Sequence, residues 1–204
     1  MKVKVKICGI RTIEAALTAV KHGADFLGFN FVPESSRYIN QQKAKEIIGS
    51  LFKDVKVVGV FMNESISEIK KSIDFLKLDF VQLHGRETPN YHVLTQYAGV
   101  IKTFPLPPDF DINKTIIEMQ KFDADYFLVE KKIRGGGQLL DPERVRGLTS
   151  SFPIILAGGL TPENVSEAVR IAQPKVVDVA SGVETDGEQD MDKIKEFIGQ
   201  AKYD

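Results

Sequence analysis

The sequence contains no tryptophan, one cysteine and three histidines. A single thiol, Cys8, excludes an internal disulfide and every zinc site built from several cysteines. His22, His84 and His92 are not spaced as a metal motif, so no metal is indicated. No apolar stretch approaches the length of a signal-peptide core or a membrane span, and no membrane partner is expected. One cysteine without a secretion signal points to a reducing, cytoplasmic setting. Charge of one sign is lacking too. Lysine plus arginine number 27 against 28 for aspartate plus glutamate, and no basic block is present to attract nucleic acid, which is therefore not expected as a partner.

What is present is a strand followed by a helix, over and over. Val3 to Ile7 alternates β-branched apolar residues with lysine. Thr12 then caps a segment in which Ile13, Ala16, Leu17 and Val20 recur at helical spacing, and Gly23 stops it. Phe26 to Phe31 reads as a strand buried on both faces, and Ala44, Ile47, Ile48 and Leu51 form the next helical stripe. Val55 to Met62 is a third strand; Ser65 and Glu68 make a capping box for a helix carrying Ile66, Ile69, Ile73 and Leu76. A short strand at Phe80 to Leu83 precedes a helix predicted to start near Glu87 with Pro89 in its first turn. Val100 to Phe104 follows, with Pro105, Pro107 and Pro108 predicting a loop before the helix around Ile116, Ile117 and Met119. Tyr126 to Val129, Ile154 to Ala157 and Val176 to Ala180 complete the strands. A flexible loop is predicted at Gly135-Gly136-Gly137, helix caps at Asp141-Pro142 and Thr161-Pro162, and a last helix over Ile194 to Ala201.

Eight strands alternating with eight helices, with short links and no linker-like boundary, predict one domain over 1–204. Its fold class is α/β, a single closed (βα)8 TIM barrel of eight parallel strands; losing one unit would leave an open flavodoxin-like sheet instead. In a barrel the chemistry sits where the strands end. The residues closing the apolar runs are Cys8, Asn30, Asn63, Gln82, His84, Lys102, Glu130, Gly158-Gly159, and Asp178 with Ser181-Gly182.

Each has two readings. Cys8 is either a small buried apolar residue or a reactive group, and a thiol can abstract a proton if its pKa is lowered. Glu130 is either an ion-pair partner of Lys131, Lys132 or Arg134, or a carboxylic acid able to donate a proton. Arg37 is a solvated loop residue or a bidentate grip for a carboxylate. His84 is hydrogen-bonded core or part of a site. Asp178, inside an apolar strand, needs a partner, either protein or a substrate hydroxyl. Gly158-Gly159 and Ser181-Gly182, following strands seven and eight, are the small-residue turns whose backbone N–H groups hold phosphate in barrels; either alone is also a plain turn.

Taken together, Lys6-Ile7-Cys8-Gly9, Gly28-Phe29-Asn30-Phe31 with Ser36-Arg37-Tyr38-Ile39, Val58-Gly59-Val60-Phe61, Gln82-Leu83-His84-Gly85, Ala157-Gly158-Gly159-Leu160, and Val177-Asp178-Val179 with Ser181-Gly182-Val183-Glu184 resemble the motifs of the phosphoribosylanthranilate isomerases. They match in order and spacing over nearly the whole chain. The resemblance implies a cofactor-free barrel of tryptophan biosynthesis that performs an Amadori rearrangement on a small phosphorylated sugar–anthranilate substrate, as a monomer or homodimer. It implies Cys8 as general base, Arg37 as the anthranilate carboxylate's partner, Asp178 on a sugar hydroxyl, Gln82 and His84 in the pocket wall, and Gly158, Gly159, Ser181 and Gly182 around the phosphate. The sequence departs from the family at strand six. Where the family usually has an aspartate acid, this chain has Glu130, followed by Gly135-Gly136-Gly137-Gln138 without the usual small hydroxyl residue. Strand eight reads Ala180-Ser181 where two serines are common. The departure leaves a second expectation open, that of a phosphate-binding barrel of the same family with lost or altered catalysis.

Overall fold

The structure, a computed structural model, describes residues 2–52, 55–131 and 139–202. Eight parallel strands, β1 (Lys4–Cys8), β2 (Phe26–Asn30), β3 (Lys56–Phe61), β4 (Phe80–Leu83), β5 (Gly99–Leu106), β6 (Tyr126–Lys131), β7 (Ile154–Leu156) and β8 (Val176–Val179), close into a barrel in sequence order. Around them run α1 (Ile13–His22), α2 (Gln41–Gly49), α3 (Ile66–Leu76), α4 (Ile112–Met119), α5 (Pro142–Thr149), α6 (Val165–Ala172) and α7 (Met191–Lys202). No helix among the described residues is long and apolar enough to cross a membrane.

Strand alternation divides the core in two. Outward residues such as Val5, Ile7, Leu27, Val81 and Val177 join the helices in the larger hydrophobic layer. Inward residues Phe26, Val58, Ile101, Leu128, Ile155, Ala157 and Val176 fill the barrel itself. This floor lies toward the strands' starts, and polar side chains occupy the interior above it. The same local device ties three strand pairs together at the starting end: Asp25, Asp79 and Asp125, each just before an even-numbered strand, accept the backbone N–H of Val5, Val57 and Val100 on the preceding one.

Helix ends follow their sequence signals. Thr12, Ser65, Asp111 and Asp141 accept N–H groups of the first turn, and Gly23 ends α1 at φ +98°. Four expectations need correction. Only the Ser65 half of the predicted capping box forms, because Glu68 pairs with Lys71 instead. The fourth helix is a 3-10 segment, Pro89–Gln96. Its expected start, Glu87, is 5 % exposed and spends its carboxylate on the N–H groups of Asn63 and Gly85 and on the Lys102 ammonium at 2.7 Å. Strand β5 continues through Pro105 to Leu106; beyond the Lys102–Leu83 pair it has only β6 beside it, so a missing N–H on the vacant side costs no ladder bond. The helix after β7 begins at Val165, with Asn164 rather than Thr161 at its cap, since Asn164 folds back onto Thr161 N–H and the Gly159 carbonyl.

A hairpin of β9 (Glu184–Thr185) and β10 (Glu188–Gln189) was not expected from periodicity. Each arm has two residues, too few to show a period, although the Asp186-Gly187 turn, with φ of +52° and +80°, is a strong hairpin signal. The predicted glycine loop 135–137 lies outside the described residues.

The Lys102–Glu87 pair has a measurable consequence. Replacing Lys102 with methionine would leave Glu87 buried without its cation, and a loss of about 3–5 kcal/mol is expected in urea unfolding.

Candidate active site

The strands' ends surround a cavity of about 540 Å³. Cys8, Arg37, Gln82, His84, Glu130, Gly158, Gly159, Asp178, Ser181 and Gly182 all line it, as does Asn30. Two strand-end residues turn elsewhere: Lys102 to Glu87, and Asn63 to the Arg86 N–H.

Cys8 stands at the mouth of β1. Two residues earlier on the same inward face is Lys6, wholly buried, whose ammonium lies 2.8 Å from Asp178 Oδ1 on β8. The register makes this contact inevitable, because Lys6 and Asp178 are directly paired across β1 and β8. Asp178 thus has the protein partner its burial requires. Burial pushes the Cys8 thiol above its ordinary pKa; the Lys6 charge opposes this and the Asp178 charge adds to it. Space for these groups comes from Gly28, paired with Cys8 across β1 and β2. A methyl group there would stand 2.7 Å from Cys8 Sγ and 3.2 Å from Lys6 Nζ. Gly28→Ala is expected to displace the thiol and reduce kcat by about tenfold or more while the barrel still folds, measured by steady-state kinetics beside circular dichroism.

Across the cavity, His84 Nε2 lies 3.1 Å from Glu130 Oε1. The carboxylate's described partner is this imidazole; of the neighbouring cations considered from sequence, Lys132 and Arg134 lie outside the described residues. Gln82 Nε2 lies 3.5 Å from His84 Nδ1. With the Gln82 amide donating to Nδ1, the neutral ring carries its proton on Nε2, aimed at Glu130. Gln82 Oε1 is buried without a protein partner, an acceptor suited to a ligand hydroxyl or N–H.

Arg37 is placed by the β2 loop. Asn30 donates to Ser35 Oγ, which in turn accepts the Arg37 N–H. Its guanidinium is held in bidentate fashion by Glu184, with Nε and Nη2 donating at 2.7 and 2.5 Å. This partner raises the Arg37 pKa further. A fixed guanidinium at the cavity wall is a ready carboxylate receptor, but it has one fork already engaged.

Gly158 and Gly159 adopt φ of +79° and +82°, a left-handed pair that turns successive N–H groups. Ser181–Val183 form a 3-10 turn after β8. The two turns pack directly together: a side chain on Gly182 would overlap the Leu160 carbonyl. Backbone N–H groups of adjacent small-residue turns are suited to an oxyanion such as phosphate.

Two residues of the site escaped the sequence reading. Lys6 continues the lysine–valine alternation of a solvated face, and only its register two residues before Cys8 signals the interior. Glu184 lies in a quoted motif, but nothing local shows that it meets Arg37 across 147 residues.

A closed (βα)8 barrel with a thiol, a carboxyl group and two small-residue turns around one cavity defines a small-molecule enzyme of the sugar-phosphate type. The family model for N-(5'-phosphoribosyl)anthranilate isomerase matches residues 5–200. The chain is 42% identical over 210 residues to the isomerase of Bacillus cereus, covering 98% of each, and 42% identical to that of Lacticaseibacillus paracasei, covering 99% of this chain and 96% of the other. Among solved structures, the Thermotoga maritima isomerase superposes with a TM-score of 0.90 at 37% identity, covering 98% of both chains. A second, solved in complex with reduced 1-(o-carboxyphenylamino)-1-deoxyribulose 5-phosphate, gives 0.87 at 36% with the same coverage. The chain belongs to the N-(5'-phosphoribosyl)anthranilate isomerase family, whose isomerase role lies in tryptophan biosynthesis.

Proposed function

We propose that this cavity converts N-(5-phosphoribosyl)anthranilate to 1-(2-carboxyphenylamino)-1-deoxyribulose 5-phosphate, with Glu130 as general acid and Cys8 as general base. The observation that carries the assignment is the placement of these two groups, on β6 and β1, in the wall of a single cavity that also holds both phosphate-type turns. Glu130 gives its proton to the furanose ring oxygen as the C1–O bond breaks, leaving a C1=N iminium. The Cys8 thiolate then takes the C2 proton, and the C2–H electron pair forms the C1=C2 bond while neutralising the iminium. Tautomerisation of this enaminol, with a proton gained at C1 and lost from the C2 hydroxyl, yields the ketone.

Binding groups fall around that chemistry. Gly158, Gly159, Ser181 and Gly182 offer backbone N–H groups to the phosphate, whose charge needs no side-chain cation when dipoles and amides converge. Arg37 takes the anthranilate carboxylate, Asp178 a sugar hydroxyl, and Gln82 Oε1 a donor it otherwise lacks. The carboxyl of Glu130 reaches one methylene further than an aspartate would, and the His84 contact at 3.1 Å fixes where that longer arm ends.

Purified protein mixed with freshly made phosphoribosylanthranilate should consume it, followed by loss of anthranilate-type fluorescence. Tight binding of a reduced product analogue with no turnover would overturn the proposal in favour of a binding barrel that has lost catalysis.

A further inference from the structure

Among the described residues, Lys6 is a wholly buried charge on the barrel's inward face that the reaction above does not use. It is 0 % exposed, and its ammonium has three N–H groups, of which Asp178 Oδ1 takes one at 2.8 Å. The Cys8 sulfur lies on the same inward face two residues on, and a methyl group built on Gly28 would stand 2.7 Å from that sulfur and 3.2 Å from the Lys6 ammonium, which puts the two beside one another over the bare glycine. We propose that Lys6 is a positioning residue that holds a positive charge under the Cys8 sulfur and links formation of the thiolate to occupation of Asp178 by substrate. The proposal rests on the reading of Cys8 as base.

A purely structural Lys–Asp pair would be dispensable, since buried ion pairs are commonly replaced by packed apolar groups without loss of stability. An apolar pair cannot supply charge beside a sulfur atom. Burial disfavours the Cys8 thiolate, the Lys6 charge favours it, and Asp178, which holds Lys6, repels it, so the thiol's pKa is raised. A sugar hydroxyl donating to Asp178 draws on that carboxylate's charge. Its hold on Lys6 weakens, and the ammonium turns toward sulfur. The base is then generated when substrate is in place, which limits thiolate exposure in the empty enzyme. The charged groups facing Cys8 are Lys6 on its own strand, Asp178 on β8 and the Arg37 guanidinium from the β2 loop.

Because Cys8 is the sole cysteine, alkylation by iodoacetamide, followed by intact mass from neutral to alkaline pH, reads this thiol alone. The midpoint of the rate profile reports its ionisation independently of access. In Asp178→Asn the midpoint should fall, and alkylation at a fixed pH below it should rise by about tenfold. In the double variant Lys6→Met/Asp178→Asn, which leaves no buried charge unpaired, the midpoint should climb back above that of Asp178→Asn by at least one pH unit, about tenfold in rate. Profiles that superimpose in the two variants would overturn the proposal, and so would an unchanged or higher midpoint in Asp178→Asn, which stands as a test even if the double variant fails to fold. A merely structural Lys6 would change melting temperature and leave the midpoints alone. Retained turnover in a cysteine-free variant would instead defeat the base assignment without moving these profiles.

Discussion

Cys8→Ala is expected to reduce kcat by a factor of about 10² to 10⁴, the usual contribution of a positioned general base, with a far-ultraviolet spectrum like the parent's. The fold should survive because Cys8 lines the cavity and alanine removes only its sulfur, with no new atom to place. A pH dependence accompanies this loss. The active form of the base is the thiolate, so kcat/KM falls as the thiol gains its proton on the acid side. Burial places the free enzyme's Cys8 above the ordinary thiol range, so the parent's kcat/KM should still be climbing with pH at and above neutrality. Cys8→Ala should lose that limb. A parent profile flat from neutral to alkaline pH would show that no high-pKa base limits the reaction.

Glu130→Asp is expected to slow the enzyme, by about 10²-fold if the carboxyl retreats an ångström or more from its working position. The site is arranged for the longer side chain: His84 Nε2 meets Glu130 Oε1 at 3.1 Å. An aspartate at this position would fall short of the imidazole. Glu130→Gln, which keeps the reach and removes the proton, should lose about 10² to 10⁴ in kcat with little change in KM. A faster Glu130→Asp enzyme would mean that glutamate is an impairment and not an adaptation. Steady-state kinetics on the two variants decides between these outcomes.

The barrel was legible because its strands are largely apolar runs of three to eight residues separated by helical stripes and caps, and both signals are local. Phe80–Leu83 coincides with its predicted span, and the other strands begin or end within two residues of theirs. What local reading missed depends on partners far along the chain. Lys6 looks like one tooth of a solvated Lys-Val alternation until β8 closes the barrel and sets Asp178 opposite. Arg37 reads as an unattached loop cation until the hairpin brings Glu184 to it. Glu87 reads as a helix-start residue until Lys102, fifteen residues on, takes its carboxylate. The strand-end rule located the right face and listed ten residues that share one cavity. It could not say which charges would already be paired there, because pairing is fixed by barrel closure.

Cys8 and Glu130 are proposed to act on one substrate from its two sides. A crystal structure with reduced 1-(o-carboxyphenylamino)-1-deoxyribulose 5-phosphate bound tests this most directly. The expected pose has the phosphate on the Gly158-Gly159 and Ser181-Gly182 amides, Cys8 Sγ against C2, and a Glu130 carboxyl oxygen about 2.6–3.2 Å from the former ring oxygen. A ligand seated with its ring oxygen out of Glu130's reach, or with C2 turned away from Cys8, would contradict it.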